Sequence, residues 1–236
     1  MSTKYVSSSI KDDGSGELVF DRANKRNALN SDLIDQAVAA INDLAERGVT
    51  VATISGNGPI FCSGVDVSGG LDPEVGRLSG TDLIEALLAS PIFWVAHIQG
   101  PALGAGVGIT AACPLSVVSE SAWFSLPEID LGLFPCAVIA YLEPRLGRQF
   151  SLQWGLTGTR MAAAEAHQRG LASIITSPEN SQSVLQDLVS QLLATPWATR
   201  SALLSWQATF RSDDFVSRKR ELDLLMSMPP KSWKKG

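Results

Sequence analysis

The sequence predicts an α/β fold with a helical C-terminal part, and three observations carry that prediction. Short apolar runs that suit buried strands alternate with segments whose apolar residues recur at helical spacing. Two of these runs, at 49–55 and 93–98, are each followed by a glycine-rich loop. From Ser181 onward only helical patterns remain. We therefore expect an α/β core over residues 1–195 and a helical, oligomer-forming region over 196–236.

The composition of the 236 residues excludes several classes of protein. Hydrophobic residues make up 45% of the chain and charged residues 18%, and the formal net charge is −5. No basic stripe with interleaved aromatic residues appears, so we expect no nucleic-acid partner. No apolar run reaches the roughly 18 residues of a membrane span, and the N-terminus lacks a signal-peptide pattern. We expect no membrane partner and a cytoplasmic location.

The cysteines and histidines do not point to a metal site or to a disulfide framework. The three cysteines lie far apart and form no C-x-x-C pair, so we expect each to be a small core residue: Cys62, Cys113 and Cys136. His97 lies in an apolar run and is expected to be buried and hydrogen-bonded, whereas His167 is expected to be exposed. No metal ion is expected.

The N-terminal elements follow from alternation and from turn residues. Apolar and polar residues alternate at 5–10 and 17–21 around the turn Asp13-Gly14-Ser15-Gly16, which predicts a β-hairpin. Ser31 is the expected N-cap of a helix that runs to Arg47, and Gly48 closes it. Its apolar face comprises Leu33, Ile34, Ala37, Ala40, Ile41 and Leu44. A buried strand at 49–55 and a helix at 82–89 are expected next.

The later elements continue the alternation. We expect strands at 93–98, 115–119, 122–124 and 174–175, and helices at 142–156 and 162–169. The segment 127–132 forms a turn that carries two carboxylates, Glu128 and Asp130. Three further helices are expected at 181–194, 196–210 and 213–228.

The glycines after the strand at 93–98 give the strongest chemical signal. Gly104, Gly106 and Gly108 open a helix of small residues. Glycine lets a ligand approach the main chain, and the first N–H groups of a helix lack intrahelical partners, so this turn suits an oxygen that gains negative charge. Tight packing of the helix on the sheet is an alternative that this stretch leaves open. The spacing does not match G-x-G-x-x-G, which argues against a dinucleotide site.

A second glycine-rich loop repeats this arrangement. It covers 56–70, with the sequence GNGPIFCSGVDVSGG, and follows the strand at 49–55. An oxyanion pocket needs two donors at about 2.7–3.1 Å from one oxygen. The second donor is therefore expected near Gly64 and Val65.

Five stretches, in order, resemble the crotonase superfamily, the enoyl-CoA hydratase/isomerase proteins that act on acyl-CoA thioesters. The order and spacing of these stretches extend the resemblance over nearly the whole chain, and together the stretches are highly specific. They are KRNALN at 25–30, FCSGVDV at 61–67, IQGPALGAG at 98–106, SLPEIDLGLFP at 125–135 and GTRMAAAEAHQRGLAS at 158–173.

The resemblance implies a spiral of ββα units, with a helical C-terminal subdomain that packs in a homotrimer or a dimer of trimers. It implies an acyl-CoA substrate whose thioester carbonyl is held by the backbone N–H groups of Val65 and Ala105, beside Gly64, Gly104 and Gly108. No separate cofactor is implied, because coenzyme A is part of the substrate. The residues expected near coenzyme A are Arg26, Ala28, Asp66, Val67 and Lys231.

The departures from the family pattern bear on the reaction. Family hydratases carry two glutamates twenty residues apart; here the second is Glu128, but the first position is Gly108. A family glycine after Pro135 is replaced by Cys136. A side chain at 108 is expected to face the same ligand as the Ala105 N–H, one helical turn away. These features favour single-acid proton transfer, such as enoyl-CoA isomerisation, over hydration.

Several alternatives stay open. Asp130 is a rival acid, and loss of the first glutamate also fits a non-catalytic acyl-CoA-binding protein. A decarboxylase or a thioester hydrolase would use the same enolate pocket. If Glu128 is the acid, apolar neighbours should raise its pKa and suit it to proton transfer near neutral pH. The expected neighbours are Phe124, Ile129, Leu131 and Phe134.

Overall fold

The computed structural model describes residues 3–68 and 79–209, and within them strands and helices alternate as the sequence predicts. The strands are β1 (Val6–Ile10), β2 (Gly16–Phe20), β3 (Val51–Gly56), β4 (Phe93–Ile98), β5 (Ala102–Leu103), β6 (Leu115–Ser119), β7 (Trp123–Ser125), β8 (Met161–Ala162) and β9 (Ile174–Thr176). The helices are α1 (Ser31–Glu46), α2 (Gly80–Ala89), α3 (Ala105–Ala112), α4 (Cys136–Leu146), α5 (Arg148–Thr157), α6 (Ala163–Gln168), α7 (Ser181–Ala194) and α8 (Trp197–Thr209). The predicted α/β class is confirmed.

The main sheet has six strands in the order β1-β2-β3-β4-β6-β9. β1 and β2 form the predicted antiparallel hairpin, and all the other neighbouring strands are parallel. Three short strands, in the order β5-β7-β8, form a second sheet. Because β3 and β4 are parallel neighbours, the two glycine-rich loops that follow them leave the same edge of the sheet.

Both faces of the main sheet are covered, which explains why β4 is apolar at nearly every position. Trp94, Ala96 and Ile98 belong to a large core shared with α1, α2 and α3. Phe93 and Val95 point to the opposite face, into a smaller core shared with α7. Burial on both sides fixes the strand in the centre of the molecule.

Several helix boundaries differ by a few residues from those that the sequence predicts, and two of the differences have a clear cause. The six residues of the predicted α1 face are all buried, but the N-cap is Asn30 rather than Ser31, since the Asn30 side chain accepts a hydrogen bond from the Leu33 N–H at 3.1 Å. The helix predicted at 142–156 is two helices, α4 and α5. Gly147, at φ 77° and ψ 150°, separates them, because this conformation cannot continue a helix.

The buried histidine behaves as expected. His97 is 3% exposed, and its Nε2 lies 2.6 Å from the Ser181 Oγ, so β4 is tied to the start of α7. Burial lowers the pKa of His97 to about 4, with a smaller contribution from the Lys11 cation. His167 is exposed. Cys62 and Cys113 are buried, whereas Cys136 is half-buried.

The predicted C-terminal region at 196–236 is described only as far as α8. The helix predicted at 213–228, residues 69–78 and Lys231 lie outside the described residues. Within the described ranges, no helix combines the length and the apolar character that crossing a bilayer requires.

Candidate active site

The two glycine-rich loops meet at the start of α3. A methyl group placed on Gly64 would lie 3.6 Å from the Ala105 nitrogen. A methyl group placed on Gly80, the first residue of α2, would lie 3.1 Å from the Val65 Cγ2 and 3.4 Å from the Ala105 Cβ. The residues predicted to supply the two N–H donors therefore flank one point in space.

Both N–H groups are suited to bind an external oxygen. Ala105 is the first residue of α3, so its N–H has no acceptor within the helix. Val65 forms a parallel bridge with Leu29, whose hydrogen bonds use the Leu29 N–H and the Asp66 N–H but not the Val65 N–H. The Val65 residue is 50% exposed, so a ligand can reach it.

Glu128 lies directly against this pocket. A methyl group placed on Gly104 would lie 2.8 Å from the Glu128 Oε1, so any side chain at 104 would displace the carboxylate. Gly104 also adopts φ 50° and ψ −118°, a conformation that L-residues rarely adopt. The residue before the Ala105 donor must therefore be glycine for two separate reasons. This contact joins the acid to the predicted oxyanion pocket.

The surroundings of Glu128 leave its carboxylate poorly solvated. It belongs to a short 3₁₀ helix, Pro127–Leu131, and its Oε2 is buried with no hydrogen-bond partner among the described residues. Burial raises the pKa of Glu128, partly offset by a backbone hydrogen bond. Among the expected apolar neighbours, Phe124 is buried, but Leu131 is 55% exposed and does not belong to the expected apolar wall.

The rival acid, Asp130, is exposed, although it belongs to the same 3₁₀ helix as Glu128. An exposed carboxylate keeps its solvation and is poorly suited to proton transfer in a closed pocket. Glu128 therefore lies against the predicted donor pocket, whereas Asp130 is exposed to solvent.

A side chain at Gly108, which was expected to face the ligand, would first meet apolar side chains. A methyl group placed on Gly108 would lie 2.5 Å from the Ile84 Cδ1 and 3.8 Å from the Val138 Cγ1. Gly108 is buried and Ile84 is 0% exposed. α2 runs beside α3 with Gly80 near Ala105 and Ile84 over Gly108, so an apolar side chain fills the space where family hydratases carry an acid.

The loop at 25–28, expected near coenzyme A, packs against the Val65 loop. Arg26 is exposed at φ 56°, and its carbonyl accepts a hydrogen bond from the Ser63 N–H at 3.1 Å. Asn27 is fully buried at φ 51° and donates to the carbonyls of Asn57 and Ile60 at 2.9 and 2.8 Å. The hydrogen bonds of Asn27 therefore hold the backbone next to Arg26, whose side chain is exposed.

Asp66 and Val67 have different surroundings. The Asp66 Oδ2 lies 2.7 Å from the Arg22 Nη1, and its Oδ1 accepts from the Ser68 hydroxyl at 2.6 Å. The Ser68 hydrogen bonds and the Arg22 guanidinium lower the pKa of Asp66 to about 2 despite its partial burial. Both carboxylate oxygens are therefore occupied by protein groups. Val67 is 41% exposed and remains free to contact a ligand.

Sequence reasoning missed three residues of this site: Arg22, Asn27 and Ile84. Asn27 lies inside the KRNALN stretch. Asparagine tolerates the left-handed conformation better than most residues, so the sequence could have indicated a turn there. Arg22 and Ile84 carried no signal, because each acts on a residue that is distant in the sequence.

Comparison with known proteins identifies the family. The family model described as enoyl-CoA hydratase/isomerase matches residues 12–236. The enoyl-CoA hydratase ACTT6 of Alternaria alternata is 29% identical over 191 residues, which are 79% of this chain but only 64% of ACTT6, less than two thirds of its length. The enoyl-CoA isomerase/hydratase fer4 of Mycosarcoma maydis is 29% identical over 80% of this chain and 75% of the relative.

Comparison with solved structures points to the same family. The crystal structure of an enoyl-CoA hydratase from Mycobacterium avium subsp. paratuberculosis K-10 has a TM-score of 0.86 at 28% identity, and the match covers 97% of this chain and 96% of that chain. The predicted spiral fold is confirmed. The chain belongs to the enoyl-CoA hydratase/isomerase family, within the crotonase superfamily.

Proposed function

We propose that this chain binds acyl-CoA esters, stabilises the enolate of the thioester, and uses Glu128 as its single acid-base group, with enoyl-CoA isomerisation favoured over hydration. One observation supports this most strongly. The Glu128 carboxylate packs on Gly104, next to the Ala105 donor, while Ile84 fills the space over Gly108. One carboxylate suffices to move a proton, whereas hydration needs a group that also positions a water molecule.

In the proposed reaction the thioester oxygen accepts hydrogen bonds from the N–H groups of Val65 and Ala105. The ionised Glu128 removes a proton from C2 of a 3-enoyl-CoA, and the electron pair of that C–H bond forms a dienolate whose negative charge lies on the thioester oxygen. The same carboxyl group returns the proton to C4, which moves the double bond to C2–C3. Each oxyanion donor is worth on the order of 3 kcal/mol of transition-state stabilisation.

The proposed binding of coenzyme A uses groups at the rim. The exposed Lys25 and Arg26 offer positive charge to phosphates, and Ala28, Val67 and Lys231 are proposed further contacts. We also propose a cytoplasmic homotrimer or dimer of trimers. The exposed apolar side chains of Leu152, Leu156 and Trp197 offer surface for subunit contacts.

The proposal is tested by incubating the protein separately with 3-enoyl-, 2-enoyl- and malonyl-CoA and following products by mass spectrometry and chromatography. Conversion of the 3-enoyl ester to the 2-enoyl ester, with slow or absent water addition, is expected. Loss of CO₂ or release of free coenzyme A would instead identify a decarboxylase or a hydrolase.

Calorimetry with acyl-CoA and with the free fatty acid completes the test. Tight binding of acyl-CoA without any turnover would favour the non-catalytic alternative. Equal or absent binding of both ligands would contradict the acyl-CoA assignment.

A further inference from the structure

An ion pair joins the two loops on which the candidate site is built. The Arg22 Nη1 donates to the Asp66 Oδ2 at 2.7 Å and to the Ala28 carbonyl at 3.0 Å, so one nitrogen bridges the loop at 25–28 and the loop that carries Val65. The Arg22 backbone N–H also donates to the Asn27 Oδ1 at 2.9 Å.

Hydrogen bonds fix the chain on both sides of Val65. Before it, the Gly64 carbonyl accepts from the Leu29 N–H at 2.8 Å. After it, the Asp66 N–H donates to the Leu29 carbonyl at 3.0 Å, while Arg22 holds the Asp66 carboxylate. The direction of the Val65 N–H is therefore set by the same contacts that hold the neighbouring loop.

The pair differs from the ordinary surface ion pairs of this protein. The side chains of Arg22 and Asp66 are 10% and 14% exposed, whereas those of Arg47 and Asp43, at the C-terminal end of α1, are 53% and 55% exposed. Water screens the exposed pair strongly, but removal of one partner from the sheltered pair leaves a poorly solvated charge. Loss of Arg22 or Asp66 should therefore disturb the loops, whereas loss of Asp43 should not.

We infer that Arg22 and Asp66 form a positioning pair. When the nucleotide end of a CoA ester contacts the loop at 25–28, this pair aligns the Val65 N–H with the thioester group of the same ligand. The inference rests on the proposed function. It assigns the Asp66 carboxylate to the protein rather than to the ligand, because both of its oxygens already have protein partners.

The kinetic test uses two substrates that differ only at the nucleotide end: a 3-enoyl-CoA and the corresponding 3-enoyl-pantetheine thioester. Asp66→Asn and Arg22→Met should each lower kcat for the CoA ester roughly tenfold or more, because a misaligned donor loses transition-state stabilisation. The pantetheine ester, which cannot contact the loop, should lose much less. The double variant should lose no more than either single variant.

The outcomes discriminate sharply. A raised KM with unchanged kcat would mean that Asp66 only binds substrate, and it would overturn the inference. Equal losses of kcat with the CoA ester and the pantetheine ester would show that the nucleotide end of the ligand does not influence the Val65 N–H, and they would overturn the inference. Asp43→Asn, which breaks the exposed pair at the C-terminal end of α1, is the matched control and should leave both kcat values unchanged.

A spectroscopic readout separates this inference from the proposed function. The carbonyl stretch of [1-¹³C]hexanoyl-CoA, a saturated ester without a double bond to move, should fall in frequency on binding to the wild-type protein. Asp66→Asn should reduce that shift to about half, since one of two donors is lost. An equal shift in both proteins overturns this inference alone, whereas absent binding to wild type overturns both proposals.

Folding of the variants is checked by circular dichroism. Should Asp66→Asn fail to fold, Arg22→Met provides the second variant, because methionine keeps a long unbranched side chain but lacks the nitrogen that contacts both acceptors. It should show the same loss of carbonyl shift, and a wild-type shift in Arg22→Met would overturn the inference.

Discussion

Single residues decide the chemistry of this protein through their surroundings. Glu128 and Asp130 belong to the same 3₁₀ helix, yet Glu128 packs on Gly104 with a buried oxygen while Asp130 is exposed. A carboxyl group whose pKa is raised toward neutral can both accept and return a proton. The environment, rather than the residue type, separates these two acids.

We expect Glu128→Gln to lower any proton-transfer activity by roughly 10²-fold or more, because no other acid is placed against Gly104 among the described residues. Steady-state rates with a 3-enoyl-CoA measure this effect. Asp130→Asn is the matched control and should keep the parent rate. Full activity in Glu128→Gln, or a large loss in Asp130→Asn, would refute the single-acid assignment.

The same carboxyl group should make stability depend on pH. Its folded-state pKa lies above the ordinary value of 4.5, so above that pH the folded state holds this proton more tightly than the unfolded state. Stability is therefore lost as the pH rises through the interval between the two values. Glu128→Gln should melt at a higher temperature than wild type at pH 8, and the difference should shrink at pH 4. Thermal melts at both pH values test this, and an unchanged difference would contradict it.

At the scale of elements, the packing of α2 on α3 shapes the pocket. Ile84 of α2 lies over Gly108 of α3, one turn beyond the contact of Gly80 with Val65 and Ala105. The glycine at 108 permits this close approach, since any Cβ there would collide with the Ile84 Cδ1. Ile84 therefore occupies the space into which a side chain at 108 would extend.

We expect Gly108→Ala to destabilise the fold by about 1–3 kcal/mol through overpacking against Ile84. Ile84→Val removes only the colliding methyl group, so the double variant Gly108→Ala/Ile84→Val should recover most of that loss. Chemical denaturation of the three variants and the parent measures the coupling. Strictly additive changes in the free energy of unfolding would show that Ile84 does not occupy the space beside residue 108.

The same contact sets the expected behaviour of Gly108→Glu. This substitution alone should destabilise the protein, because its side chain would collide with Ile84. Water addition to a 2-enoyl-CoA should rise only when Ile84→Ala is combined with it, because a second carboxylate and a water molecule need the vacated volume.

At the scale of the whole molecule, the central sheet is held between a large core and a smaller one beneath α7. The hydrogen bond between His97 and Ser181 joins β4, whose following loop carries the Ala105 donor, to the start of α7. The buried histidine must be neutral in the folded state, since its pKa is lowered to about 4. Acid should therefore weaken the whole fold at this point.

We expect the free energy of unfolding to fall by about 2 kcal/mol between pH 7 and pH 5 from this group, because an unfolded histidine has a pKa of about 6.5. The unfolded state binds the proton first, so stability is lost as the pH falls from 6.5 toward 4. His97→Gln should lack this loss, and His167→Gln, at an exposed position, should retain it. Urea unfolding at the two pH values measures the difference, and equal losses in wild type and His97→Gln would exclude His97 as the cause.

The sequence by itself predicted the strands of the main sheet, most of the helices, the two glycine-rich turns and Glu128 as the acid, but not the short strands β5 and β8. These features depend on local backbone preferences, on the period of apolar residues, and on short stretches that resemble one family. Even at this level the break at Gly147 escaped the pattern, because the apolar period continues across it while the backbone conformation does not.

Only the tertiary structure decided what surrounds those residues. Ile84 reaches Gly108 from another helix, and Arg22 reaches Asp66 from 44 residues earlier in the chain. Neither contact has a local signature, because steric occupancy and ion pairing depend on which distant segments pack together. The sequence thus predicted the two donors and the acid. Packing decided that Ile84 lies over Gly108, and it decided which contacts hold the chain on both sides of Val65.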